Sequence, residues 1–312
     1  MVGRLLGKMV LPVLLVLAFV GCGEPAPAAG GALAVAGLPP VAYLAQRLTG
    51  GAPPVKSALP EGRSPHDFAP HPADVRAIAG AKLYFSTGMP FEQAVARSLR
   101  NGKVKIVDVT RGIRRLPLTG GGCDGHDHSA HAHAGEADVH HHDGDGGADL
   151  LDPHVWLSPE NCRIIAGNLL AALCEADPAN AELYRRSFVE LDRELAEAGQ
   201  TAATGLAPYR GRSFFVYHPA FGYFAAANGL TQHGIELGGR EPSPARLAEV
   251  IRAAREHGVK TIFVQPQFNP ASARALAEAI HGEVVELDPL ARDVMANFRL
   301  LTDKIAGGFQ HK

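Results

Sequence analysis

Three histidines and one aspartate have sequence surroundings that would let them bind one metal ion together. His66 lies in Ser-Pro-His-Asp-Phe, His154 in Asp-Pro-His-Val-Trp, His218 in Tyr-His-Pro-Ala-Phe and Asp288 in Leu-Asp-Pro-Leu. Neutral imidazole is the commonest zinc ligand, and three imidazoles with one carboxylate complete a tetrahedral shell. A complete shell leaves no position for a reacting group. The set therefore predicts a site that holds metal and does not catalyse a reaction.

A low-complexity segment, residues 120–149, carries seven of the fifteen histidines of the chain. It also holds eight glycines and seven acidic residues, and it has no lysine or arginine. Such a composition cannot build a core, so we expect disorder there. Its histidines are spaced for weak, interchangeable metal coordination, as auxiliary ligands: His126, His128, His131, His133, His140, His141 and His142.

Composition limits the classes of protein that this chain can belong to. Hydrophobic residues make up 46% and charged residues 20%, which is typical of a globular protein with a core. The 312 residues suffice for two domains. A net charge of -2 argues against a polyanionic partner, so we do not expect binding to nucleic acid.

The first 22 residues resemble a lipoprotein signal peptide. Arg4 and Lys8 precede an apolar run, residues 10–20, that is too short to span a bilayer. Cys22 follows a small residue at the end of this run, where a bacterial lipoprotein carries its lipid, and residues 23–31 have the composition of a tether. We expect a protein outside the cytoplasm, periplasmic or on the cell surface, anchored through Cys22. Ordinary secretion with cleavage nearby is the alternative.

No disulfide is expected from the other cysteines. Cys162 and Cys174 are twelve residues apart on one predicted helix, about 18 Å along its axis, which is beyond disulfide reach. Cys123 opens the histidine-rich segment, as an exposed thiol or as a soft auxiliary metal ligand.

Strand and helix patterns alternate in both halves of the chain. Short apolar or β-branched runs at residues 32–36, 82–86 and 104–109 alternate with helical patterns, and the same rhythm returns from residue 213 onward. Such alternation predicts parallel sheets. Residues 178–205 keep one apolar stripe over about 42 Å of helix, which suits a rigid connector. The predicted fold is α/β, with two lobes of mostly parallel sheet joined by a long backbone helix.

Two of the candidate ligands directly follow predicted strands. His218 comes after the run at residues 213–217, and Asp288 after the run at residues 283–286. Open α/β sheets bind ligands outside the carboxyl ends of their strands. Because His66 and His154 come from loops of the first half, a shared site would lie in the cleft between the lobes.

Four stretches of the chain resemble the zinc-binding solute-binding proteins of bacterial ABC metal importers, the cluster 9 (A-I) family. They are residues 62–68, 152–157, 218–224 and 263–268, with the sequences GRSPHDF, DPHVWL, HPAFGYF and FVQPQF. The resemblance implies an N-terminal lobe at residues 32–177, a connecting helix at 178–207 and a C-terminal lobe at 208–312. It implies that His66, His154 and His218 are the histidine ligands and Asp288 the carboxylate, whose place water or another carboxylate takes in some members.

The resemblance also implies a function. It is the capture of Zn(II) outside the cytoplasm and its delivery to an ABC importer permease, by a monomer that is not an enzyme. Three imidazoles favour zinc over the harder manganese ion. The alternatives are a manganese or iron importer component, a zinc-binding adhesin or buffer, and a zinc hydrolase that would use Glu236 or Glu241 as a general base.

Overall fold

The computed structural model describes residues 32–52, 54–118, 151–236, 242–269 and 271–310. The predicted signal peptide, Cys22, the tether and the histidine-rich segment with Cys123 lie outside these residues. Everything below concerns the described part of the chain.

Eight short strands form two parallel sheets with the same internal order. The first sheet runs β2-β1-β3-β4 and the second β6-β5-β7-β8, and every pairing is parallel. We refer to the parts built on them as the N lobe and the C lobe. The strands are β1 (Ala34–Ala36), β2 (Lys56–Ser57), β3 (Leu83–Ser86), β4 (Lys105–Asp108), β5 (Ser213–Val216), β6 (Thr231–Gly234), β7 (Thr261–Val264) and β8 (Glu283–Glu286).

Helices connect the strands in both lobes. Those of the N lobe are α1 (Pro39–Leu48), α2 (Pro72–Ala79), α3 (Pro90–Leu99) and α4 (Pro159–Ala176). The others are α5 (Ala181–Leu206), α6 (Gly222–Ala227), α7 (Pro244–Glu256), α8 (Ala271–Ala279) and α9 (Val294–Gly308). Helix α4 begins at a cap typical of helix starts: Ser158 accepts a hydrogen bond from the Asn161 amide, and Pro159 is the first residue of the helix.

Helix α5 joins the two lobes. Its 26 residues extend about 39 Å, and it packs against α1, α4 and α9. It begins later than the sequence predicted, because residues 178–180 form a 3-10 turn. The Asp177 carboxylate does not cap this helix; it accepts hydrogen bonds from the Asn180 amide group and the Tyr184 hydroxyl. The buried stripe of α5 is Ala181, Tyr184, Leu191, Leu195, Ala202 and Leu206.

The two lobes share one large apolar core. It includes side chains from both sheets, the buried stripe of α5 and the aromatic residue Trp156. Two smaller clusters lie under the outer helices, one in each lobe. This arrangement confirms the predicted two-lobe α/β fold. The edge strands β2 and β6 and the short helix α6 were not predicted, because they are two to six residues long and the strands are largely polar.

A buried carboxylate, Glu92 of α3, fills the space between the ends of β1 and β3. Its Oε2 accepts hydrogen bonds from the Thr87 and Met89 amides, both at 2.9 Å, and from the Ser86 and Thr87 hydroxyls at 3.2 and 3.0 Å. Its Oε1 lies against Gly37, where any Cβ would overlap it. Gly37 is therefore required for close approach.

Burial raises the pKa of the Glu92 carboxyl to about 7, against these hydrogen bonds, which lower it. The folded protein then binds this proton more tightly than the unfolded chain, whose carboxyl titrates near 4.5. Glu92 therefore costs stability as the pH rises from about 4.5 to about 7.

We expect Glu92→Gln to remove this cost. Relative to the wild type, the metal-free variant should gain up to about 3 kcal/mol of unfolding free energy between pH 5 and pH 8. Urea unfolding at four pH values measures the difference, and other titrating groups cancel in it. Glu61→Gln, at an exposed position, is the matched control. If the difference in unfolding free energy between the variant and the wild type did not change with pH, the raised pKa of Glu92 would be contradicted.

Candidate metal centre

The three predicted histidines converge on one point in the structure. The Nε2 atom of His154 lies 3.2 Å from that of His66 and 3.1 Å from that of His218. Among the described residues they form the one group of metal-binding side chains, with ligand atoms all within 4.8 Å of one another. Nitrogen ligands at 2.0–2.1 Å from a tetrahedral zinc ion would be about 3.3 Å apart. The spacing therefore suits one ion bound to all three rings.

Each histidine comes from a different loop at the cleft. His66 lies between β2 and α2, where its amide donates a hydrogen bond to the Ser64 hydroxyl at 3.3 Å. His154 lies in the turn that precedes α4, and His218 lies two residues after β5. Two ligands thus belong to the N lobe and one to the C lobe.

The Gln265 side chain fixes the backbone of His218. Its Oε1 accepts a hydrogen bond from the His218 amide at 2.9 Å, and its Nε2 donates to the His218 carbonyl at 3.0 Å. Gln265 follows β7, the neighbour of β5. The ring of Phe268 stacks on the His218 imidazole with the centroids 4.9 Å apart. His218 is therefore held at both its backbone and its ring.

Two buried carboxylates set the tautomers of His154 and His218. Asp152 Oδ1 accepts hydrogen bonds from the His154 amide at 2.9 Å and from His154 Nδ1 at 2.8 Å. Glu236 Oε1 contacts His218 Nδ1 closely. Because Nδ1 carries the proton in each ring, both Nε2 atoms present lone pairs to the same point. Two lone pairs 3.1 Å apart repel each other, and a cation bound between them converts the repulsion into coordination.

The electrostatics of the site favour neutral imidazoles. Burial, together with the charges of His218 and His154, lowers the pKa of His66 to about 3. Burial, followed by the charge of His218, lowers the pKa of His154 well below its ordinary value. The contact between His154 and Asp152 is therefore a hydrogen bond of a neutral ring. Protons compete with a metal ion for these two histidines only in acid.

The carboxylates also match the charge of a divalent ion. Asp152 Oδ2 and Glu236 Oε2 are buried and have no hydrogen-bond partner among the described residues. Burial raises the pKa of Asp152 to about 7, while the hydrogen bond from the His154 amide lowers it. A divalent cation at the histidines would favour the ionised form of Asp152 and balance the negative charge of carboxylates beside the rings. The residues present therefore fit a metal ion as cargo.

Asp288, the predicted fourth ligand, is not in the histidine group. Its Oδ1 accepts hydrogen bonds from Gln267 Nε2 at 2.8 Å and from the Leu290 amide at 2.9 Å, so it holds a turn in this structure. Trp156 lies nearby: its ring contacts His154 edge to face, and its Nε1 donates to the Pro289 carbonyl at 2.7 Å. This hydrogen bond joins the N lobe to the turn that follows β8.

Sequence reasoning missed the two carboxylates that orient the rings. Asp152 was interpreted only as part of a turn, and Glu236 only as a possible general base. An aspartate two residues before a candidate histidine was the available signal for Asp152. Glu236 follows the unpredicted strand β6, so nothing placed it beside His218.

Other predicted features have mixed outcomes. Cys162 and Cys174 lie on one helix and are free, as predicted, whereas Cys123 lies outside the described residues. His233 is half-buried and stacks on Phe215, which the sequence did not indicate. Within the described part of the chain, no helix has the length and apolarity to cross a membrane.

Relatives of known description share this fold and much of the sequence. The high-affinity zinc uptake system protein ZnuA of Yersinia pestis is 29% identical over 276 residues, 85% of each chain. The zinc-binding protein AdcA of Streptococcus pyogenes is 31% identical over 80% of this chain and 49% of its own length, so this chain spans about half of it. A crystal structure of ZnuA superposes with a TM-score of 0.76 at 29% identity, covering 89% of this chain and 99% of that one.

The family model described as zinc-uptake complex component A, periplasmic, matches residues 35–304. This range contains both sheets, the connecting helix and all three converging histidines. The chain therefore belongs to the ZnuA family of metal-binding solute-binding proteins.

Proposed function

We propose that this protein captures Zn(II) outside the cytoplasm and delivers it to the permease of an ABC importer. The observation that carries the proposal is the convergence of three imidazole Nε2 atoms, two of them 3.1 and 3.2 Å from the third. Membership of the ZnuA family supports the transport role and the location. Lipidation at Cys22 would hold the protein at the membrane, near the permease.

The donor set favours zinc over manganese. Nitrogen ligands suit zinc, whereas manganese prefers carboxylate, carbonyl and water oxygens. The two carboxylates at the site act on Nδ1 atoms of the ligand rings and not on the ion. They raise the basicity of the imidazoles and fix their orientation.

The same contacts argue against a zinc hydrolase. Of the two candidate general bases, Glu241 lies outside the described residues, and the side chain of Glu236 is buried against His218. A base must reach the water that it activates, and Glu236 is occupied by the ring proton of a ligand. A purified protein that hydrolysed test esters or peptides with bound zinc would contradict this conclusion.

His154→Ala should weaken zinc binding at least tenfold. The change removes a ligand, a larger loss than the tenfold or greater effect typical of residues that only orient ligands. Competition with a chelator at one equivalent of zinc measures the affinity, and a parallel titration with manganese tests selectivity. His257→Ala removes an exposed imidazole away from the site and serves as the control. Wild-type affinity in the His154 variant would refute the proposed site.

Asp288→Ala should weaken zinc binding less than the loss of a histidine. In this proposal Asp288 or a water molecule completes the shell, and water can take a fourth position on zinc. The absorption spectrum of the cobalt-substituted variant reports whether tetrahedral coordination remains. Asp303→Ala, on the exposed side of α9, is the control. Complete loss of metal from a folded Asp288 variant would make Asp288 an essential ligand.

Deleting residues 120–149 should leave the fold and one tight zinc site intact. The chain on the two sides of this segment is already close together, since Pro117 and Leu151 form an antiparallel bridge, so a short turn can replace the segment. We propose that its histidines raise the zinc concentration near the cleft. Their reference pKa of about 6.5 implies weak sites that fill at pH 7 and empty near pH 5.

Calorimetry distinguishes the two classes of site. The full chain should show weak sites besides the tight one, and the deletion variant only the tight one. A chain of full length with the seven histidines changed to serine separates the effect of imidazole from that of length. Loss of the tight site on deletion would mean that the segment supplies a primary ligand.

A further inference from the structure

The Tyr223 hydroxyl makes two hydrogen bonds that cross between the lobes. Tyr223 lies on α6 of the C lobe and is 5% exposed. Its hydroxyl donates to the Asp152 carbonyl at 3.0 Å and accepts from the Leu116 amide at 3.2 Å. Both partners belong to the N lobe. One buried hydroxyl thus satisfies a donor and an acceptor that would otherwise be unpaired on the opposite lobe.

The two hydrogen-bond partners of Tyr223 lie on either side of the histidine-rich segment. Leu116 precedes it and Asp152 follows it, and the Asp152 amide donates to the Leu116 carbonyl at 2.8 Å. Together with the bridge between Pro117 and Leu151, these bonds form a short antiparallel stem. The Tyr223 hydroxyl lies between the Leu116 amide and the Asp152 carbonyl, the two groups that would form the second hydrogen bond of this pair in a regular antiparallel ladder.

The stem is directly connected to the metal centre on both sides. Asp152 orients His154 through its Oδ1, and Tyr223 lies five residues after His218. The carboxylate of Asp152 packs against Gly222, where a Cβ would lie 2.5 Å from Oδ2. The hydroxyl of Tyr223 therefore links Asp152, which orients His154, to the segment of the C lobe that carries His218.

We propose that Tyr223 is an interlobe latch, a positioning residue that fixes Asp152, and through it His154, against the C lobe and thereby slows release of the ion. This inference rests on the proposed zinc-binding function. Tyr223 touches no metal ligand atom, so its loss leaves the coordinating set complete. What its loss changes is the freedom of the N-lobe ligand to move away from His218.

The latch predicts an effect on release and not on capture. Breaking it removes two hydrogen bonds that exist only when the lobes are together, so the dissociation rate should rise while the association rate stays unchanged. Net contributions of single hydrogen bonds correspond to roughly three- to tenfold changes in such a rate. A permease that separated α6 from the stem would accelerate release by the same route.

Tyr223→Phe tests the latch in the full chain, because it deletes the hydroxyl and keeps the ring. Zinc release into excess chelator is followed by stopped flow, with Tyr84→Phe as the control. Tyr84 is also buried, and its hydroxyl has no hydrogen-bond partner among the described residues. We expect release about three- to tenfold faster from the Tyr223 variant only.

A spectroscopic measurement distinguishes a specific effect on the orientation of His154 from a general loosening of the protein. In the zinc-loaded protein with labelled histidine, the Nδ1 proton of His154 should shift in the Tyr223 variant, while that of His218, bonded to Glu236, should stay. Unchanged release, equal acceleration in both tyrosine variants, or equal shifts of both protons would overturn the latch. Failure of the wild type itself to retain zinc would overturn the proposed function, and the latch with it.

Discussion

The central constraint on this structure is that imidazole nitrogens with lone pairs are held about 3 Å apart. Such an arrangement is repulsive without a cation, and it persists only if the surroundings fix each ring. Asp152 and Glu236 do so by accepting the Nδ1 protons of His154 and His218, and both carboxylates are almost completely buried. The cost of burying two carboxylates is offset when a divalent ion binds, so the site stores affinity for such an ion in its folded state.

The fold supplies what this constraint needs. Parallel sheets place their functional loops at the carboxyl ends of the strands, and two sheets with the same strand order turn those ends toward one cleft. Helix α5 packs on helices of both lobes, and the largest core cluster includes residues of both. The ligands therefore come from loops, but the loops stand on elements that share one continuous core.

The three converging histidines could be found from the sequence, while the carboxylates that contact two of their rings could not. His218 directly follows an apolar run that ends in Tyr217, so its position at a strand end was readable. Glu236 is 18 residues further along, after a polar edge strand without alternating hydrophobicity, and only tertiary pairing of β5 with β6 brings it to His218. The sequence also placed the start of α5 too close to the N-terminus. Asp177-Pro178 has the composition of a helix start, but the Asp177 carboxylate accepts hydrogen bonds from the side chains of Asn180 and Tyr184 and does not cap the helix.

The buried Glu92 makes the crevice of the N lobe different from that of the C lobe. In each sheet the strand order reverses beside its first strand, between β1 and β3 in one and between β5 and β7 in the other, and such reversals open crevices that many α/β proteins use for anionic ligands. In the N lobe, the glutamate side chain already occupies that crevice and takes the amide and hydroxyl donors that a phosphate or sulfate would need. The N lobe thus carries a built-in ligand of its own. The donors at its crevice are therefore already engaged by a side chain of the protein itself.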